Sequence, residues 1–160
     1  MKKLFLFLIP IFILLCSCSA KPAELNRSFS AEVVSRYNGV KIKADLTADE
    51  GRIMTLRIKS PSSMKDCTYT YKDGKVIVSG SSLKITADDN YLPNTAFAQV
   101  LRNILISLGR ESNLKPVNNS PTEYKGNSDS GSFTLTADSV GNITSLNIKA
   151  IKFSAELVYK

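Results

Sequence analysis

The side chains that usually carry out catalysis are few and scattered in this sequence of 160 residues. Histidine, the most common general acid and base, is absent. Asp88 and Asp89 are adjacent in a polar segment, which is typical of a solvated turn, and the serine pairs at 62–63 and 81–82 have no neighbouring base. Cys67 has no partner that would make it a thiolate. We therefore predict that the protein is not an enzyme and has no catalytic residues.

The same composition argues against a metal or cofactor site. Transition metals in proteins need several His or Cys ligands, whereas this chain has no His and three Cys, two of them inside the N-terminal segment. The third, Cys67, cannot form an internal disulfide if those two are lost or modified. It alternates with Tyr69 and Tyr71, which predicts a buried apolar role. We expect no metal ion and no cofactor.

The N-terminal segment has the features of a targeting sequence. Lys2 and Lys3 supply a positive start, and the apolar run Leu4–Leu15 is interrupted only by Pro10. The run is too short to span a bilayer as a permanent helix, but its length suits the core of a signal peptide.

The residues that follow this run, Leu15-Cys16-Ser17-Cys18, resemble the bacterial lipobox, in which a small residue precedes the cysteine that is acylated. Cys18 fits this pattern better than Cys16, because Ser17 is small and Leu15 is not. The resemblance implies a lipoprotein signal peptide at residues 1–17 and acyl chains such as palmitate on Cys18, which would anchor the protein stably. An ordinary secretory signal cleaved after Ala20 is the alternative.

The charge balance bears on partners and location. The formal net charge of +7 falls to +5 when residues 1–17, with Lys2 and Lys3, are removed. A modest positive charge suits a domain close to anionic lipid headgroups, although it also serves solubility. The lysines are spread over many segments, which argues against nucleic acid as a partner. We expect a monomer in the cell envelope, anchored through Cys18 to the outer face of the cytoplasmic membrane or to an outer membrane.

Strand patterns dominate the chain after the linker of residues 18–27, and we assign residues 28–160 to one domain. Apolar and polar residues alternate from Phe29 onward, and Asn38-Gly39, Asp73-Gly74 and Gly141-Asn142 mark tight turns. This pattern predicts an antiparallel sheet with one packed and one solvated face. Residues 111–131 are rich in Ser, Asn, Pro and Gly, and predict an irregular crossing with at most a short strand at Thr122–Lys125.

One stretch, Asn94–Gly109, has the period of a helix instead. Its apolar residues form a single stripe: Phe97, Val100, Leu101, Ile104, Leu105 and Leu108. Asn94 is a candidate N-cap, and Gly109 can take the left-handed conformation that closes a last turn. We predict an α+β fold in which a curved antiparallel sheet, an open half-barrel, wraps around this one central apolar helix.

The order of these elements resembles the LolA/LolB superfamily of bacterial lipoprotein carriers and acceptors. The stretches that carry the resemblance are FSAEVVSRYNGVKIKADL at Phe29–Leu46, YKDGKVIV at Tyr71–Val78 and LPNTAFAQVLRNIL at Leu92–Leu105, with the terminal strands from Phe133. The resemblance implies an open half-barrel that is lidded by helical segments and binds acyl chains between sheet and lid. The protein would then bind a lipid, a lipoprotein or another apolar ligand.

The candidate ligand-binding residues are apolar side chains expected between sheet and helix: Met54, Leu56, Ile58, Tyr69, Tyr91, Leu92, Phe97, Leu101, Ile104, Leu105 and Leu108. Tyr91 and Leu92 form either an exposed finger or a staple under the helix.

The alternative function is that of a non-catalytic scaffold or interaction lipoprotein with a solid core. Its solvated face would meet partners through Lys41, Lys43, Arg57 and Lys59. A binding module needs a cavity of a few hundred cubic ångströms, whereas a scaffold is close-packed.

Overall fold

The computed structural model of this chain describes residues 24–109, 114–117 and 120–159. The predicted signal peptide 1–17 and Cys18 lie outside the described residues. Within those residues, eleven strands form one sheet: β1 (Phe29–Tyr37), β2 (Val40–Asp49), β3 (Ile53–Ser60), β4 (Thr68–Lys72), β5 (Lys75–Gly80), β6 (Leu83–Asp88), β7 (Lys115–Pro116), β8 (Glu123–Ser128), β9 (Gly131–Ala137), β10 (Ile143–Ile148) and β11 (Phe153–Tyr159). Helix α1 (Phe97–Leu108) lies between β6 and β7 in the chain, and two short 3₁₀ helices, Ser62–Met64 and Lys149–Ile151, follow β3 and β10.

The sheet is antiparallel and open, with the order β6-β5-β4-β3-β2-β1-β11-β10-β9-β8-β7 across the described strands. The chain therefore builds one wing outward from β1 to β6 and the other from β11 to β7, and β1 pairs with β11 where the wings meet. Two of the turns are those that the sequence predicts. Asn38 and Gly39 have φ of 48° and 82°, and Asp73 and Gly74 have φ of 51° and 70°. Positive φ at both central residues is what a type I′ hairpin turn requires.

Alternation along each strand separates two faces, which we name the inner and the outer face. In β2, the inner side chains of Ile42, Ala44, Leu46 and Ala48 are buried. Their neighbours Lys41, Lys43, Thr47 and Asp49 are exposed on the outer face. The prediction of one packed and one solvated face is thus confirmed for the strands at the centre of the sheet.

Helix α1 lies on the inner face, and its hydrogen bonds show how strongly the sheet curves. Tyr71 of β4 donates to Gln99, and Asn103, one turn further along α1, donates to Ser130 in the β8–β9 turn. β4 and β8 are seven strand spacings apart, which is about 34 Å in a flat sheet. Two residues of one helical turn can reach both strands only if the sheet curls around the helix. The predicted curved half-barrel around an apolar helix is confirmed.

The helix runs along the strands, in the direction opposite to β1. At its N-terminal end, the Tyr37 hydroxyl at the end of β1 donates to the carbonyl of Thr95. At its C-terminal end, Leu105 lies against Gly51, in the turn after β2, where an added Cβ would be only 3.0 Å from the Leu105 carbonyl oxygen. Because the helix follows the strands, the sheet curves in the direction across the strands.

The helix ends at Gly109 as predicted, but its first residue and the conformation of Gly109 differ from the prediction. The structure places the N-cap at Ala96, without a side-chain cap, because the Asn94 side chain accepts a hydrogen bond from Asn103 instead. Gly109 has φ of −69° and ψ of −14°, which is right-handed rather than left-handed. Within the described part of the chain, no helix has the length and apolar character needed to cross a membrane.

The predicted irregular crossing at residues 111–131 is partly wrong. The structure has a two-residue strand, β7, and a six-residue strand, β8, and β8 pairs with β9 along its whole length. The β8 sequence EYKGNS has few residues that favour strands, so pairing with β9 decides its conformation. Gly126 is needed there, because an added Cβ would lie 2.5 Å from the Phe133 ring.

Candidate functional site

Most of the predicted ligand-binding residues are packed core. Met54, Leu56 and Ile58 of the sheet and Leu101 and Ile104 of the helix have 0% exposure, and Phe97, Leu105 and Leu108 are buried as well. A side chain that borders a cavity large enough for one water keeps some accessible surface. The five fully covered side chains therefore border no such cavity. Between these side chains, sheet and helix are in direct contact.

The three remaining candidates are accessible to different degrees. Tyr69 is half-buried on the inner face of β4, and Leu92 is half-buried against the core. Tyr91 is 69% exposed. Leu92 therefore packs against the core, whereas the Tyr91 side chain is exposed to solvent.

A chain of hydrogen-bonded polar side chains, buried except for the exposed Asn94, links the two wings of the sheet across the helix, and we name it the polar bridge. It consists of Tyr71, Gln99, Asn103, Asn94 and Ser130. The Tyr71 hydroxyl donates to Gln99 Oε1 (3.0 Å), Gln99 Nε2 donates to Asn103 Oδ1 (3.0 Å), and Asn103 Nδ2 donates to Asn94 Oδ1 (3.2 Å) and Ser130 Oγ (3.0 Å). Burial raises the pKa of Tyr71 well above its ordinary value, so the hydroxyl remains a donor.

Sequence reasoning missed the polar bridge, because Gln99 and Asn103 lie off the apolar stripe and would ordinarily face solvent. Their i, i+4 spacing is the one available signal, since it allows them to hydrogen-bond along a helix. In the structure both are buried. The side of the helix away from the apolar stripe is therefore also covered.

Arg102 fixes the helix at a second point. Its guanidinium donates to the Gly51 carbonyl, lies 4.0 Å from Asp89 Oδ2 and stacks 5.8 Å from the centre of the Tyr71 ring. Burial lowers the pKa of Arg102, and the nearby Asp89 carboxylate opposes that effect. An arginine remains charged in such surroundings. The ion therefore ties α1 to the turn after β2 and to the loop after β6.

The inner face is not covered at the β6 edge, where five side chains form a surface that we name the apolar shelf: Cys67, Tyr69, Val78, Leu83 and Ile85. Tyr69 lies opposite Val78, and Val78 lies opposite Ile85, so these three form a continuous row across β4, β5 and β6. Leu83 is 60% exposed and Ile85 is 45% exposed. Burial raises the pKa of Tyr69 to about 12, and a hydrogen bond with Cys67 adds to this effect.

The cations predicted on the solvated face have two different environments. Lys59 contacts Glu32 (2.9 Å) and Asp45 (2.8 Å), and Arg57 contacts Asp66 (3.0 Å). The hydrogen bond from Lys59 lowers the pKa of Glu32. Arg57 and Lys59 are thus engaged by carboxylates on their own sheet. The other two predicted cations, Lys41 and Lys43, are exposed on β2.

Neither a metal centre nor a catalytic constellation is visible in the described residues. No group of three or more His, Cys, Asp or Glu side chains in residues 24–109, 114–117 and 120–159 could hold a metal ion. The accessible candidates for binding are therefore the apolar shelf and the outer face.

Comparisons with known proteins found a similar solved structure but no matching family model. No protein-family model matches the sequence, and no curated protein matches it. Among solved structures, the chain is similar to a LolA superfamily protein from Nitrosomonas europaea, with a TM-score of 0.48 and 12% sequence identity over 83% of this chain and 84% of that one. That structure is similar to this chain over most of both lengths, and the similarity says nothing about what this chain binds.

Proposed function

We propose that the protein is a non-catalytic lipoprotein of the bacterial cell envelope, held to a membrane by acyl chains on Cys18, and that it binds a lipid or another apolar ligand on the apolar shelf. The observation that carries this proposal is that the inner face of the sheet remains apolar beyond the part that α1 covers. The site thus lies at the β6 edge instead of between helix and sheet.

The shelf suits a chain-like apolar ligand. Its central row runs across three strands, about 10 Å, and one side is already in contact with the core. Covering about five methylene groups there contributes about 4 kcal/mol before the cost of association. That free energy alone corresponds to weak binding, about 1 mM. A ligand in the same membrane is favoured, because the anchor on Cys18 would keep it at a high effective concentration.

The direct test compares two aspartate substitutions on the same edge strand. Ile85→Asp places a charge on the shelf, whereas Thr86→Asp places the same charge on the outer face of β6, where residue 86 is already exposed. The full-length proteins are exposed in their own membranes to a photoactivatable fatty acid and irradiated, because a site of about 1 mM affinity would lose its lipid in detergent. They are then purified and weighed by mass spectrometry. We expect the added mass of the fatty acid on the wild type and on Thr86→Asp, and its loss from Ile85→Asp. Equal labelling of both variants would exclude the shelf.

The anchor is tested separately. Mass spectrometry of the N-terminal peptide should find acyl chains on Cys18, and Cys18→Ala should release the protein from the membrane fraction. Cleavage after Ala20 with no acylation would instead support the secretory alternative.

A second function, an envelope scaffold with a solid core, is favoured by the complete cover of Leu101 and Ile104. In that case no fatty acid is cross-linked, and fluorescent fatty acids do not bind to either the wild type or Ile85→Asp. The apolar shelf would then be a contact surface for another envelope component.

A further inference from the structure

A row of polar side chains crosses the outer face at one level, and its ends are positively charged. We name it the cationic row, and it follows directly from the strand registers: Lys41, Arg36, Ser154, Asn147, Thr134, Lys125 and Lys115 are consecutive partners on β2, β1, β11, β10, β9, β8 and β7. From β2 to β7 the row crosses six strand spacings, about 29 Å along the sheet.

The charges in this row repel each other. Arg36 lies directly opposite Lys41, and Lys115 lies directly opposite Lys125. Like charges in that position destabilise a sheet. None of these four cations has an ion pair within the described residues. Two lysines of the loop after β10, Lys149 and Lys152, are exposed beside the row, and they also have no ion pair within the described residues.

Several other cations of the outer face are matched by carboxylates. Lys59 lies between Glu32 and Asp45, Arg57 meets Asp66, and Lys75 meets Asp88 at 2.5 Å. Two carboxylates, Glu156 and Glu123, lie one level away from the row, opposite Ser145 and Thr136. The cationic row differs from the rest of this face because its unpaired cations lie opposite each other in pairs.

The surface along the row is grooved and can form hydrogen bonds. A groove of about 400 Å³ includes Arg36, Lys41, Asn147 and Ser154, together with the carboxylate Glu156, and a second one of about 740 Å³ includes Lys115, Lys125, Thr134 and Asn147. Asn147 is common to both. Its side-chain amide carries two N–H donors, and its Oδ1 is buried without a hydrogen-bond partner in the described structure.

The shape of the sheet selects the kind of anion. Because the sheet curves across its strands around α1, the row is convex, and a flat membrane would touch its uncharged middle, around Asn147. The cations at the two ends would then curve away from the lipid headgroups. A flexible chain can follow the curve, and it can contact Arg36 at one end and Lys125 at the other, four strand spacings or about 19 Å away. A single phosphate group cannot reach both.

We propose that the cationic row binds a linear polymer that carries repeated phosphate groups, with its anionic groups on the two cation pairs and its intervening atoms over Ser154, Asn147 and Thr134. Phosphate oxygens accept hydrogen bonds from Arg and Lys and from hydroxyl and amide donors. The surface is separate from the apolar shelf, so this binding does not depend on the apolar ligand.

The test uses the full-length protein in an uncharged detergent and inorganic polyphosphate with a fluorescent end label, followed by anisotropy. The double variant Arg36→Glu with Lys125→Glu removes one cation from each end. The matched control, Lys65→Glu with Lys84→Glu, makes the same change in net charge at two exposed lysines that lie outside the row, one before β4 and one on β6. We expect the row variant to weaken binding at least about tenfold and to flatten its salt dependence, and the control to stay within about twofold.

Folding is checked independently. In the row variant each new glutamate faces a lysine, Lys41 or Lys115, so its Tm should equal or exceed that of the wild type. Ile85→Asp should bind polyphosphate as the wild type does, which separates this proposal from the one for the shelf.

Four results would overturn the proposal, the last two being competition results. The first is no binding by the wild type, and the second is an equal loss in the row variant and the control, which would indicate attraction by net charge alone. The third is competition: if phosphatidylglycerol in the micelles displaces polyphosphate, the partner is a membrane surface. Equal displacement by inorganic phosphate at the same phosphate concentration would indicate a site for a single phosphate.

Discussion

Leu101 provides the sharpest test of whether the helix fills the half-barrel. Its side chain has 0% exposure and lies on the stripe of α1 that faces the sheet. Leu101→Ala removes three carbon atoms, which costs about 2.4 kcal/mol at about 0.8 kcal/mol for each buried group. The space left behind adds a further cost that depends on how far its surroundings relax, so we expect a total loss of about 3–4 kcal/mol.

Ile106 on the same helix is the matched control. It is the one residue of α1 that is not fully buried, so Ile106→Ala should cost only about 1 kcal/mol, since less of its surface leaves water. Residues 19–160 would be unfolded in urea and followed by far-UV circular dichroism, because the chain contains no Trp for a strong fluorescence signal. An unchanged m-value would show that the free energies refer to the same cooperative transition.

A small loss at Leu101 would refute the closed core. If an open ligand space bordered this side chain, Leu101→Ala would remove few packing contacts and would cost about 1 kcal/mol or less, as at a surface position. The same variant should also gain a dry cavity that binds small apolar molecules such as benzene, as engineered cavities of this kind do.

Three further predictions concern the polar bridge and the dependence on pH. Asn103→Leu removes the acceptor of Gln99 Nε2 and the donor to Ser130 Oγ, while Gln99 Oε1 keeps its bond from Tyr71 and Ser130 keeps its bond to the Asn94 carbonyl. The free energy of unfolding, measured in urea, should fall by about 1–3 kcal/mol. A loss near zero would show that water replaces the amide. In acid, Tm should fall as pH drops below about 4. Hydrogen bonds from Lys59 and Lys75 lower the pKa values of Glu32 and Asp88, so these carboxylates stabilise the fold only while ionised. Between pH 5 and 8 Tm should stay nearly constant, because the chain has no His to titrate there. Burial raises the pKa of Tyr69 and of Tyr159 to about 12 in the folded protein. Stability should therefore decrease above pH 10.0, where these tyrosines ionise in the unfolded state but not yet in the folded state. Absorbance titration of the folded protein should show both tyrosines ionising at higher pH than free tyrosine.

The elements that depend on neighbours in sequence were predicted well. The turns at Asn38-Gly39 and Asp73-Gly74 follow from the backbone freedom of their residues, and the helix follows from a period that its apolar residues repeat over three turns. The predicted start of the helix was wrong for a tertiary reason. The Asn94 side chain bonds to Asn103 and Ser130 bonds to the Asn94 carbonyl, so Asn94 belongs to the polar bridge and Ala96 is the N-cap.

The candidate site was predicted only in part, because apolar character indicates that a side chain is buried but not what covers it. Leu101 and Tyr69 both lie on faces that the sequence predicts to be packed. The structure buries Leu101 completely and leaves Tyr69 half-buried at the margin of the apolar shelf, beside the exposed Leu83 and Ile85.

The sequence by itself determined the alternation of the strands, their turns, the single helix and the presence of apolar faces that require cover, because these depend on local geometry and on the avoidance of water. Tertiary structure alone decided that α1 fills the space between itself and the inner face of the sheet, because that depends on the summed volumes of the side chains. It also decided that Arg36 and Lys125, 89 positions apart in the chain, lie on one level of one face. That arrangement depends on the register of the five strands from β1 to β8 across the sheet, and no single segment of the sequence contains it.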